Sequence, residues 1–299
     1  MTEQAQLPDP PQFSDEQMQK CRETGDFMPV LFEWYKFVGH ICIFFAQLAR
    51  ESLAVKEISP IHYAVLTGLL NRCARLMLSN IALSHNGRFG ETTALLDRCI
   101  FESCIKVEWL CHKGIDDYFQ RYLASGLKTE IELESEIRGN IAKREDGAVL
   151  NIEKRMLASI DRYINASGLN REEVVESKKL PDISAMLSDL GHERLMYVVS
   201  QRLGSHAVHG TWPSLLLHYL EMDEEGYFSL RDHDCDTHPN QFVMIPLQVL
   251  GAVKSFIIYA IETDEEAEPI VGLLDSVQEE IMDINAEMVG SDFESAEEI

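Results

Sequence analysis

Residues 89–110 limit what this chain can become more than any other segment. Ala94, Leu95, Leu96, Cys99, Ile100, Phe101, Cys104, Ile105, Val107, Trp109 and Leu110 make the stretch apolar nearly all round. A helix without a broad polar face is normally the central one of a bundle, because no side of it can be left in water. Other helices must therefore surround it. From Met28 to about Glu51, the residues Leu31, Trp34, Val38, Ile41, Phe45 and Leu48 recur at three- and four-residue steps, which is one helical face. Ser59-Pro60 opens another helix, with serine as the cap and proline in the first turn, running to about Asn86-Gly87. Ser14, with Glu16 and Gln17 behind it, starts a shorter helix that stops at Thr24-Gly25-Asp26.

Past the Gly114 break a longer, more polar helix carries Tyr118, Tyr122 and Leu127, and the charge-rich stretch 130–145 reads as solvated surface. Shorter helices are expected over 150–166, 171–179 and 183–190, and apolar helices over 194–209 and 242–261. Pro246 marks the first turn of the latter or a kink in it. A last helix covers 267–288. Residues 215–231, LLLHYLEMDEEGYFSLR, set an acidic glycine-containing turn between two apolar runs and form the one β-hairpin expected. The fold class is thus all-α, a multi-helix bundle of about eight to ten helices. A single helical domain is expected over 14–290, after a polar arm at 1–13 and before a disordered acidic tail at 291–299.

Charge narrows the function classes. With 26 Lys+Arg against 50 Asp+Glu, the formal charge is −24, the wrong sign for long-range attraction to phosphate backbones or anionic lipid. Seven cysteines, an odd number without a CxxC pair, read as reduced core thiols of a cytoplasmic protein. The N-terminus, MTEQAQLPDPPQ, lacks the basic and apolar regions of a signal peptide. His40 and Gln47 interrupt the apolar window 37–49, as Gln248 and Lys254 interrupt 242–261, so no membrane span is expected. HExxH, the phosphate-binding glycine loop, the dinucleotide fingerprint and the GxSxG elbow are all missing from the sequence.

Three constellations carry chemistry. Arg202, His206 and His209 are spaced i, i+4 and i+7, which places them on one helical face as a candidate catalytic set. A neutral imidazole beside an arginine can accept a proton, and the guanidinium can stabilise charge developing on a phosphoryl oxygen. The same histidines, just before Gly210, also suit capping of the last helical carbonyls. Arg88, Glu91, Arg98 and Glu102 form a second, candidate binding set; Arg98 and Glu102 lie one turn apart on the most apolar helix, where each needs a partner. They serve either as an internal ion-pair network or as lining of a polar cavity with His206 and His209. The third cluster, His233-Asp234-Cys235-Asp236-Thr237-His238 with His218 upstream, contains metal-ligand residue types in one short loop. It lacks the paired modules of structural zinc sites, and its carboxylates suit turns and caps, so no metal and no other cofactor is assigned.

GRFGETTALLDRCIFESCIKVEWL, then FQRYLASG, then YVVSQRLGSHAVHGTW together resemble the helical bacterial family called domain of unknown function 5677, over about residues 88–220. The resemblance implies an all-helical fold without an assigned activity. More distantly, Arg202 to His209 is similar to the arginine, spacer, histidine signature of HEPN proteins, helical-bundle RNases and nucleotide-handling toxins of prokaryotic antiviral defence. Leu203 stands where that signature commonly has a polar residue. The resemblance implies a metal-independent site completed across a homodimer. Arg202 would stabilise the cleaved phosphate and His209 would move protons, with help from His206 and Tyr197, on RNA held in a locally basic cleft. Against this endoribonuclease stands a non-catalytic sensor or protein-interaction module, whose Arg98, Glu102 and His206 cluster is structural or binds a small ligand.

Overall fold

The computed structural model describes residues 7–84 and 88–296, with the side chains of 203 and 291–296 left aside. The described residues are overwhelmingly helical, with one small two-stranded sheet, as the periodicity predicts. They fall into two compact units, residues 113–182 and the remainder.

The larger unit begins with α1 (Asp15–Thr24), whose start is the expected one: Ser14 Oγ accepts from the Gln17 amide while Gln17 Oε1 accepts from the Ser14 amide. Two orphan donors of the first turn are satisfied reciprocally. α2 (Met28–Ala46) packs along α3 (Pro60–Ser84), and α12 (Gln241–Ala260) lies against α2 and against α13 (Asp264–Ala296). α2 and α12 are each long and apolar enough to cross a membrane by length and composition; both bury more than half of their residues inside this unit. Pro246 falls inside α12 rather than in its first turn. α13 continues to Ala296 through most of the acidic tail, while residues 297–299, the arm residues 1–6 and the Asn86-Gly87 helix end lie outside the described residues.

α4 (Gly90–Lys113) holds the central place its composition demands. Ile100, Phe101, Cys104, Ile105, Val107, Trp109 and Leu110 are all buried. Arg72 of α3 reaches the Cys99 carbonyl at 2.9 Å, and Trp109 Nε1 donates to Asp189 of α8 (Ile183–Asp189) at 2.9 Å. The described cysteines are free, and Cys42, Cys73 and Cys104 sit fully buried between α2, α3 and α4.

Downstream, α9 (Arg194–Met196) runs into a π-helical segment (Tyr197–Leu203) and then α10 (Gly204–His209). α11 (Trp212–His218) leads into β1 (Leu220–Met222), which pairs antiparallel with β2 (Phe228–Leu230). Leu220 faces Leu230, Glu221 faces Ser229 and Met222 faces Phe228. Gly226, at φ 86°, makes the turn between them, a left-handed conformation that costs glycine little. This is the hairpin expected within 215–231.

The smaller unit contains α5 (Asp116–Ala142), α6 (Asn151–Ser167) and α7 (Arg171–Glu176) around Ala124, Leu127, Ile137, Ile160, Ile164 and Val174. One of its two buried carboxylates, Glu134, accepts from Arg138 and Arg171, whose guanidinium hydrogen bonds hold it below the ordinary glutamate range. A buried acid paired in this way fixes the register of α5 against α7.

Candidate functional site

The larger unit contains a partly open cavity of about 440 Å³ with mostly apolar walls, lined by α4, the π segment, α10, α11 and the start of α12. Ala94, Phe101, Val199, Leu217, Met244 and Ile245 supply apolar surface. Asp97, Arg98, Ser200, His206, His218, Gln241 and Gln248 add the polar groups. A few convergent polar atoms in an apolar concavity are the usual composition of a small-molecule site.

Asp97 is the most unusual of them. It is 8% exposed and about two turns of helix into the most apolar stretch of the chain. Its Oδ1 accepts from Asn80 Nδ2, which also donates to the Tyr35 hydroxyl at 3.0 Å. Burial pushes the Asp97 carboxyl up to about 8, and the hydrogen bond from Asn80 opposes this only in part. At neutral pH it is therefore largely a neutral acid, able to donate as well as accept. Its Oδ2 is buried without a hydrogen-bond partner among the described residues, as is Gln248 Oε1. Leaving such atoms unpaired costs about 1–3 kcal/mol each.

Arg98 enters the same wall and is held by two partners. Its Nε donates to Glu102 Oε1 at 3.2 Å and its Nη1 to Ser205 Oγ at 2.9 Å, while Gln201 Nε2 also donates to Glu102 Oε1 at 2.9 Å. Burial raises the Glu102 carboxyl, but hydrogen bonds from Gln201 and Arg98, together with the charges of Lys106 and Arg98, outweigh it and leave Glu102 below its ordinary range. The network ties α4 to the π segment and α10. The contact is close: a Cβ on Gly204 would lie 3.2 Å from Arg98 Cβ. The ion-pair expectation for Arg98 and Glu102 and the cavity expectation for Arg98 thus describe the same side chains.

Of the proposed catalytic set, His206 alone lines the cavity; its Nδ1 is 2.6 Å from Thr211 Oγ1. Arg202 and His209 are exposed and stand outside the lining. The i, i+4, i+7 arithmetic assumes an unbroken α-helix, whereas the hydrogen bonds through Tyr197–Leu203 are π-helical. The i→i+5 pattern changes the angular step, so the α-helical spacing does not carry through this segment. Tyr197, half-buried, begins that segment. π-turns of this kind are frequent at functional sites.

Residues 63–228 match the Family of unknown function (DUF5677), which is more than half of the chain. The chain belongs to that family. No curated protein and no solved structure matches it. The DUF5677 region supplies Asp97, Arg98, His206 and His218 to the cavity, while Met244, Ile245 and Gln248 come from α12, beyond the match.

Arg88 and Glu91, also within the DUF5677 region, stand apart from this wall. Arg88, exposed, pairs with Asp236 at 3.6 Å. Glu91 accepts from Ser214 Oγ at 2.6 Å and from the Tyr219 hydroxyl, fastening α4 to α11 and the hairpin. The 233–238 loop behaves partly as its turn-forming residues suggest: Asp234 Oδ2 accepts from the Glu91 amide at the start of α4, and His238 Nδ1 accepts from the Asn240 amide. Sequence reasoning passed over Asp97, which sits between Leu96 and Arg98 as an ordinary helical polar residue. It also missed the bond between His218 Nδ1 and Asp234 Oδ1, 2.6 Å apart across sixteen residues of chain. For Asp97 a usable signal existed in its apolar surroundings on both helical turns.

Proposed function

We propose that this protein is a small-molecule binding module, and that the cavity beneath the π segment takes a compact, largely apolar ligand bearing both a hydrogen-bond donor and an acceptor. One observation carries this: Asp97 Oδ2 and Gln248 Oε1, on different helices lining one apolar cavity, are both buried without a partner among the described residues. A neutral carboxylic acid donates to a ligand carbonyl or ring nitrogen; an amide oxygen accepts from a ligand N–H or O–H. Amides, phenols and nitrogen heterocycles carry that pair of groups. Arg98 and His206 widen the range to ligands with a partial negative end.

The test is calorimetric titration of the full chain with a panel of small aromatic amides and heterocycles. Binding to the wild type is expected, loss of binding in Ala207→Trp, which fills the cavity, and roughly tenfold weaker binding in Gln248→Met, which removes one hydrogen bond. Equal affinity for the wild type and Ala207→Trp would overturn the proposal.

RNA cleavage by Arg202 and His209 is the other reading, favoured by their exposure, which admits a large substrate. The formal charge of −24 opposes it. Chelator-resistant cleavage of RNA that disappears in both Arg202→Ala and His209→Ala would establish it.

A further inference from the structure

His218, Asp234 and Cys235 bring three different donor atoms to one point. His218 is the last residue of α11 and is buried; Asp234 and Cys235 follow β2 and are half-buried. Nδ1 of His218 lies 2.6 Å from Asp234 Oδ1 and 3.3 Å from Cys235 Sγ, and the three donor atoms all fall within 4.8 Å of one another. His233 and His238, nearer in sequence, are exposed and outside this group.

The surroundings hold these atoms in place. Asp234 Oδ2 accepts from the Glu91 amide at 3.1 Å and Oδ1 from the Cys235 amide at 2.7 Å. The Gly90 amide donates to the Cys235 carbonyl at 2.9 Å. Gly90 is also the residue that lets Cys235 approach, since a Cβ there would stand 2.6 Å from Sγ and 2.9 Å from the carbonyl oxygen. Helix α4 is thus pressed onto the loop at the very residues that carry the donors.

A simple Asp–His hydrogen bond accounts for two of the three groups. The Cys235 thiol joins them, hydrogen-bonded to the Asp234 carboxylate and 3.3 Å from His218 Nδ1. All three donor atoms therefore converge where one cation could replace the shared protons.

We propose that His218 Nδ1, Asp234 Oδ1 and Cys235 Sγ bind one divalent transition-metal ion of the zinc class. The mixed nitrogen, sulfur and oxygen set suits zinc, whereas magnesium and calcium take oxygen donors alone. Binding moves the His218 proton from Nδ1 to Nε2 and releases the Cys235 thiol proton to solvent, so one proton is lost for each ion bound. Thiolate and carboxylate together then balance the charge of the ion. Three protein ligands leave a tetrahedral ion one position for water or a ligand group. His218 also forms part of the cavity wall, so ion binding and cavity binding share one side chain while remaining separate events.

The experiment uses the full chain, reduced and stripped with chelator, titrated with Co²⁺ and then with Zn²⁺. One equivalent of Co²⁺ is expected to produce the near-ultraviolet charge-transfer absorption of a cobalt–thiolate bond, which Zn²⁺ then displaces. Cys235→Ser is expected to abolish that absorption. Asp234→Asn, which keeps the size and an accepting oxygen, is expected to weaken Co²⁺ binding at least tenfold, and the exposed control His238→Ala to leave it unchanged, with folding checked by circular dichroism. No Co²⁺ binding by the wild type would overturn the proposal, as would a charge-transfer band that survives Cys235→Ser. Neither result bears on the titrations with small amides, which depend on Ala207 and Gln248.

Discussion

Asp97→Asn is expected to gain stability over the wild type steadily between pH 5 and pH 8, on the order of 1 kcal/mol per pH unit. The sign follows from proton counting. In the unfolded chain Asp97 loses its proton near the ordinary carboxylate value, about 4, whereas in the folded protein burial holds it until about 8. Between those values the native state binds the extra proton, so the stability contributed by this residue is present at low pH and is lost as pH rises to about 8. Holding the proton across that whole window corresponds to a change on the order of 5 kcal/mol. Asparagine keeps the oxygen that accepts from Asn80 and carries its own N–H where the neutral acid has O–H, but it has no proton to lose.

The remaining acids titrate in both proteins, so the informative quantity is the difference in unfolding free energy between variant and wild type at each pH. Urea denaturation followed by tryptophan fluorescence isolates the relevant unit, because Trp34, Trp109 and Trp212 all belong to the larger one. A difference that stays flat from pH 5 to pH 8 would show that Asp97 is ionised in the folded state.

Trp109→Ala is expected to cost about 3–5 kcal/mol, the range for deleting a large aromatic from a packed core. Trp109 is 0% exposed, so its side chain leaves a void that neighbours fill only in part. The substitution also removes the donor that Nε1 offers to Asp189 Oδ2 at 2.9 Å, leaving that carboxylate without the bond that fastens α8 to α4. Trp109→Phe retains most of the volume and loses only the hydrogen bond, so it is expected to cost much less. Denaturation read from Trp34 and Trp212 measures both. Equal losses for the two variants would mean that the hydrogen bond, and not the filled volume, supports this part of the core.

Much of the scaffold was legible because its signals are local. The serine and glutamine that begin α1 act within one turn. The apolar circumference of α4 needs no knowledge of its neighbours to demand burial, and the hairpin is announced by an acidic glycine turn between apolar runs. Arg98 and Glu102, one turn apart, could be paired by spacing alone. The site was less legible because it depends on what the fold brings together. Asp97 stands out only once Asn80 and Tyr35 are packed around it, and His218 finds Asp234 only after the chain has turned through β1 and β2. The π segment leaves no residue-type signature, and spacing alone does not foresee that His206 lines the cavity while Arg202 is exposed.

Met244 offers the most direct test of the cavity as a ligand site. It lines the wall contributed by α12, whereas Met156 packs against the core of the smaller unit and is not among the lining residues. In protein labelled at its methionine methyl groups, addition of a small aromatic amide is expected to move the Met244 resonance in a saturable way, to leave Met156 in place, and to lose this effect in Ala207→Trp. A ligand that binds while Met244 stays fixed, or a panel of such amides that leaves Met244 unmoved throughout, would contradict the assignment of the cavity.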